Sequence, residues 1–153
     1  MKKYKIPEDE NSLPQNIVFE PAVAYLSSPE PSAHNFIEQS RNGVSKRRAA
    51  ALAESINLSV SDLCYVLHIS ERTWQRYSLA DKLAVELSEK VILLENLSQF
   101  GAVVLESKIT FGKWLKSEIQ ALNFKTPLSF LDTAFGFQLV SSLLGRIEHG
   151  VYS

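Results

Sequence analysis

The stretch Ser59-Val60-Ser61-Asp62-Leu63-Cys64-Tyr65-Val66-Leu67-His68-Ile69-Ser70-Glu71-Arg72-Thr73-Trp74-Gln75-Arg76-Tyr77 decides the fold. Ser59 or Ser61 can cap a helix, its hydroxyl accepting from an amide that the first turn leaves unpaired. Asp62 falls in that first turn, where a carboxylate suits the helix dipole. Leu63, Val66 and Leu67 supply an apolar face. Leu67-His68-Ile69 is a short junction, and Ser70 is a second cap with Glu71 in the next first turn. Thr73, Trp74 and Tyr77 lie on or near one side of the helix that follows. Two short helices joined so tightly read as a helix-turn-helix. Leu63, Leu67, Ile69 and Trp74 fill its apolar places, and Cys64 lies where a small residue must pass beneath the second helix. Packing is therefore the reading for Cys64, with a reactive thiol as the alternative. His68 stands where such units often carry glycine, so the turn is expected to be less relaxed.

Charge sets this stretch apart. The 153-residue chain holds sixteen Lys and Arg against seventeen Asp and Glu, a net charge of -1, which excludes a chain-wide basic coat. Residues 41–76 nevertheless carry six basic residues (Arg41, Lys46, Arg47, Arg48, Arg72, Arg76) against three acidic ones. A local nucleic-acid surface fits that pattern. Ser70, Glu71, Arg72, Gln75 and Arg76 would face the major groove or its rim, where Arg suits guanine, Gln suits adenine, and either reaches phosphate. A solvated Arg72/Arg76 pair one turn apart is the plainer reading.

Outward from the helix-turn-helix, the pattern stays helical. Ser45 caps a helix that begins Lys46-Arg47-Arg48 and carries the stripe Ala49, Leu52, Ala53, Ile56. Cations at a helix start oppose the dipole, so these three are expected to serve something else. Residues 81–107 read as one long helix, bent near Gly101, with Leu83, Leu87, Val91, Leu94 and Leu97 as its stripe. Phe111, Trp114, Leu115 and Ile119 suggest a short helix, and Leu122 to Phe130 a connection around Pro127. Asp132 or Thr133 caps a last helix that buries Val140, Leu143, Leu144 and Ile147 and stops at Gly150. Five of the six prolines lie in the first 31 residues, so the part before Gly43 is expected to hold only short pieces: a helix or arm over Ile17–Leu26 and a short helix including Phe36 and Ile37. No segment alternates with period two for long, so the fold class is all-α.

Other classes fall away. One cysteine forms no disulfide framework, and His34, His68 and His149 stand without ligand-spaced neighbours, so no metal site is expected. No nucleophile–base pair or glycine-rich phosphate loop appears, so neither an enzyme nor a cofactor is expected. No run is long and apolar enough to span a membrane, and the start lacks a signal-peptide core, which makes the cytoplasm the expected compartment.

The run Leu131-Asp132-Thr133-Ala134-Phe135-Gly136, with Leu143-Leu144-Gly145-Arg146-Ile147-Glu148-His149-Gly150-Val151-Tyr152-Ser153 after it, resembles the end of the Xre/MbcA/ParS antitoxins of bacterial type II toxin–antitoxin systems. Pro127-Leu128-Ser129-Phe130 looks like the family's Pro-Leu-x-Leu lead, with Phe130 in place of Leu. Trp114-Leu115 is similar to its Trp-Leu step. Ser70-Glu71-Arg72-Thr73-Trp74-Gln75-Arg76 looks like its Ile-Ser-x-Arg-Thr recognition helix, with Trp74 in place of Leu. The resemblance covers roughly residues 43–153.

That resemblance implies a variable, partly ordered extension over 1–42. An Xre-like helix-turn-helix and dimerisation region would follow over 43–107, and a helical toxin-binding domain over 108–153. It implies an antitoxin that occludes the active site of a cognate RES-domain, NAD-targeting toxin and represses its own operon. The antitoxin would be a homodimer within a hetero-oligomeric complex, with operator DNA as a further partner and no membrane. A stand-alone helix-turn-helix regulator without a toxin is the alternative. The DNA-binding candidates are Arg47, Arg48, Ser70, Glu71, Arg72, Gln75 and Arg76. The toxin-binding candidates are Arg146, Glu148, His149, Tyr152 and Ser153. Solvent exposure alone is the plainer reading of Arg146 and Glu148; for Ile147, core burial is weighed against partner contact.

Overall fold

Hydroxyl caps mark where most of the helices begin. Ser45, Ser59, Ser70, Ser107 and Thr133 each accept a hydrogen bond from an amide one turn ahead. A computed structural model describes residues 31–150 of the chain. The expected segment Ile17–Leu26, and Tyr152 and Ser153 at the other end, lie outside the described residues. The helices are α1 (Pro31–Asn42), α2 (Lys46–Ser55), α3 (Val60–Leu67), α4 (Glu71–Arg76), α5 (Val85–Val104), α6 (Lys108–Leu115) and α7 (Ala134–Glu148). Two 3₁₀ turns, Gln120–Leu122 and Pro127–Phe130, carry the chain from α6 to α7. The architecture is all-α. Its only ladder contacts among the described residues are isolated bridges, Ser45 with Lys82 and Ile119 with Lys125.

The long helix α5 is the axis on which α1, α3, α6 and α7 all pack. Its Val91, Leu94 and Leu97 are buried, as the stripe requires. A continuous core runs from Val44 through Ile56, Leu63, Leu67 and Trp74 to Phe111, Val140 and Leu144. The division expected at 107/108 therefore falls at the corner between α5 and α6 and does not split the core. The last part of the amino-terminal extension, α1, is likewise built in, with Phe36 packed against that core.

Several local expectations change. The long helix starts at Val85, not residue 81, because the preceding segment is held in extended form. Leu83 N–H donates to the Val44 carbonyl at 2.8 Å, and the buried Ser88 hydroxyl takes Val44 N–H at 2.9 Å while donating to Leu83 O at 3.1 Å. Gly101 serves close packing: a Cβ there would sit 2.1 Å from the Phe111 ring. Ile119 does not extend α6, which ends at Leu115; it pairs with Lys125 across a tight loop instead. Ile147 is only half-buried, whereas Val140, Leu143 and Leu144 are buried as expected. Gly150 takes φ +71 just past α7, the left-handed conformation that suits a glycine stop.

Gly112 makes a close backbone approach. A Cβ on it would lie 1.8 Å from the Ile56 carbonyl oxygen, so α6 rests directly on the end of α2. Backbone cannot yield there as a flexible side chain could. Gly112→Ala is expected to destabilise the chain by about 3 kcal/mol, as overpacking against a fixed wall does. Urea unfolding read by far-UV circular dichroism measures this; a loss under about 0.5 kcal/mol, the scale of an ordinary surface change, would contradict the contact.

Candidate functional site

α4 is held as a platform. Its inner side is Trp74, 4% exposed, and Lys46 lies over that indole with Nζ 5.0 Å from the ring centroid. The same ammonium donates to the Tyr77 carbonyl at 2.7 Å, which ties the end of α4 to the start of α2. The outer side presents Arg72, Gln75 and Arg76, all exposed and one turn apart. Glu71 is exposed in the first turn. Ser70 acts as the cap, accepting Thr73 N–H at 3.1 Å and sharing a hydrogen bond with the Thr73 hydroxyl at 2.9 Å.

The basic start of α2 divides by role. Arg47 is exposed. Arg48 turns inward to the Glu95 carboxylate on α5 and to the Gln39 side chain on α1, at 2.9 Å for the latter. Lys46 and Arg48 therefore join helices, the separate use that their unfavourable position suggested. The amides of that helix start are satisfied locally: Lys46 N–H donates to Asp81 O at 2.9 Å, Arg47 N–H to Leu79 O at 3.0 Å, and Arg48 N–H to the Ser45 hydroxyl.

His68 takes φ 59 and ψ 43, so the turn between α3 and α4 is left-handed, as glycine would have made it. Histidine tolerates this region better than most residues. Cys64 is buried beneath α4. Burial pushes its thiol up, with Glu71 adding to the rise, which favours packing over a reactive thiolate. Among the described residues no group of three or more His, Cys, Asp or Glu side chains is placed to hold a metal ion. No single described helix is long and apolar enough to cross a membrane.

At the other end, α7 closes with Arg146, Glu148 and His149 exposed. Its buried side is Phe137, Val140, Ser141, Leu143, Leu144 and Gly145. The outward side also shows Phe135, 83% exposed, and Leu139, 40% exposed. Neither is among the candidate partner-binding residues above. The available signal was apolar residues four apart on the side of α7 opposite Val140 and Leu144. Phe124, also exposed, was missed too; it sits at φ 62 in the loop after α6.

Comparison with known proteins assigns both ends. Residues 36–96 match the model of the antitoxin Xre-like helix-turn-helix domain, and residues 101–150 match the antitoxin Xre/MbcA/ParS C-terminal toxin-binding domain. The chain belongs to the Xre/MbcA/ParS antitoxin family. Antitoxin Xre of Photorhabdus laumondii is 49% identical over 42 residues, a match spanning 28% of this chain and 28% of that relative. A chain of the crystal structure of the M. tuberculosis MbcT–MbcA toxin–antitoxin complex shares the fold at a TM-score of 0.54. It is 16% identical, over 71% of this chain and 96% of that one. In this Xre-like chain the helix-turn-helix match takes in most of α1, and the toxin-binding match begins at Gly101, inside α5.

The two matched regions are joined by a polar clasp. Lys116, just past α6, donates to the Asn57 carbonyl and lies 3.5 Å from the Asp62 carboxylate at the start of α3. Asp62 in turn accepts Ser59 N–H at 2.9 Å, completing the reciprocal cap. Burial works against its charge, but the hydrogen bonds from Ser59 and the nearby Lys116 outweigh that and hold its carboxyl below the ordinary value. The unfolded chain therefore takes up this proton first as acid is added. The stabilisation is complete above the unfolded carboxylate range and is lost as pH falls through the lower folded value. Asp62→Ala is expected to cost about 1 kcal/mol at pH 7, the scale of a lost cap. The gap to the unaltered chain should close as pH drops below the ordinary carboxylate value. Thermal melts at pH 7 and in the acid range test this; a gap that does not change with pH would contradict it.

Proposed function

We propose that this chain is an antitoxin that binds a cognate RES-domain, NAD-targeting toxin with its C-terminal part and occludes the toxin's active site. The toxin-binding match over 101–150 carries this reading. The exposed Arg146, Glu148 and His149 at the end of α7 support it, since they lead directly into the terminal Val151-Tyr152-Ser153. Arginine offers a rigid fork for carboxylate or phosphate, and tyrosine suits a partly buried contact, so a tail of this composition fits a polar cleft. Inhibition here is steric and needs no chemistry from the antitoxin. The chain acts within the cytoplasm as a homodimer inside a hetero-oligomeric complex.

The same chain represses its own operon through α4. Arg72, Gln75 and Arg76 form the reading face, with Ser70 and Glu71 at its leading end and Arg47 at the flank for phosphate. Arg48 contributes by holding α2 to α5 and so fixing where Arg47 lies.

Removing residues 146–153 is expected to leave a folded protein that no longer rescues cells from the toxin encoded beside it. Retained rescue with unchanged complex affinity would refute occlusion by the tail. Replacing Arg72 and Arg76 with alanine is expected to weaken promoter binding and to lower the salt slope by about 1–2, roughly one per lost phosphate contact. A gel-shift series over salt concentration measures both, and an unchanged slope and affinity would refute the role of α4.

A further inference from the structure

We propose that the outward stripe of α7, Phe135, Leu139 and Arg146, is an anchor for the toxin, which meets it with an apolar surface ending in a carboxylate; this rests on the antitoxin reading above. These positions recur at spacings of four and seven along one helix, so they line one side of it. Gln138, Ser142 and His149 flank them on the same side. The opposite side is the buried one, formed by Phe137, Val140, Leu143 and Leu144.

Two observations make this an interface. A phenylalanine 83% exposed one turn from a leucine 40% exposed is apolar surface that the described residues do not cover. Such patches mark association sites, and aromatic and arginine side chains dominate their energetics. The stripe is also held rigid. Thr133 caps the helix by accepting Gly136 N–H at 3.1 Å, and Gly136 lies so close to the Phe130 carbonyl that a Cβ would be 1.5 Å from its oxygen. Phe135 sits between these two fixed points, so little ordering is left to occur on binding.

Position along the chain selects the occupant. Within the stripe the one charge is that of Arg146; exposed Glu148 follows two residues later, and partly exposed Asp132 stands three residues before Phe135. A partner with a carboxylate about 16 Å along from its apolar patch satisfies both ends at once, given 1.5 Å per helical residue. The stripe also lies wholly within residues 101–150, the part matched as toxin-binding. Anchoring and blocking are then separate tasks: the stripe holds the toxin, and the tail beyond Arg146 reaches the cleft.

The test uses the full chain co-expressed with the product of the adjacent reading frame, and affinities of the purified proteins. The double substitution Phe135→Ala and Leu139→Ala is expected to weaken the complex at least about thirtyfold, as loss of a hot-spot contact does. The circular dichroism and melting temperature of the free chain should not change, because neither side chain is in the core. Arg146→Glu is expected to weaken it further in a salt-dependent way, and Val60→Ala, an exposed apolar change on α3, to leave it unaltered. If the unaltered chain does not bind that product at all, the antitoxin reading falls and the anchor with it. If it binds and the double variant binds equally well, the anchor alone is refuted. If the double variant only turns a dimer of the free chain into a monomer, the stripe belongs to a second copy and the proposal is wrong.

Discussion

Helix α6, within the toxin-binding match, sits with almost no clearance against the helix-turn-helix part of the chain, and the rest of the structure depends on that fit. Gly112 brings its backbone onto the Ile56 carbonyl, and the fully buried Phe111 ring fills the space that Gly101 leaves open in α5. Dispersion gains of this kind vanish if either surface withdraws by even part of an ångström. The contact joins the end of α2, the C-terminal turns of α5 and the whole of α6 into one body. The clasp of Lys116 on Asn57 and Asp62 then secures the outer rim. Cooperative burial of this sort makes a helix-turn-helix and a partner-binding end fold as a unit.

A second seam works on the opposite side. The segment after α4 returns to the start of α2 and gives its Leu79 and Asp81 carbonyls to amides that would otherwise be unpaired. Those carbonyls place negative partial charge against the helix start, which offsets the local cost of Lys46, Arg47 and Arg48 there. Lys46 is thereby free to reach the Trp74 face and the Tyr77 carbonyl. Where leucine would give only packing, Trp74 gives packing and a π-face for the cation. The platform for Arg72, Gln75 and Arg76 is thus set by contacts far from α4 in sequence.

This explains what the sequence made legible and what it did not. Caps and helical stripes are local, so the starts at Ser45, Ser70 and Thr133 and the buried faces of α2, α3 and α7 could be read directly. The junction at His68 could be read too, though not the left-handed backbone that it takes there. The late start of α5 could not: the extended form of Leu83 depends on Val44 and Ser88, and nothing within four residues of Leu83 requires it. The inward turn of Arg48 is of the same kind, since Glu95 is far away in sequence. The packing role of Gly101 could not be read either, because its partner, the Phe111 ring, arrives only after the chain has turned a corner.

The terminal run that carries the family resemblance is itself two-sided. Leu143, Leu144 and Gly145 are buried against the rest of the chain, while Arg146, Glu148 and His149 face outward. A helix near a chain end that served only the core would need no apolar residue on its outer side. A helix that served only a partner would not need the close seat of Gly136 on Phe130. α7 carries both because a rigid presenting surface must first be a well-packed one: each turn that buries Val140 or Leu144 also fixes the direction of the residue across from it. The packing of α7 on α5 is accordingly what orients its exposed face.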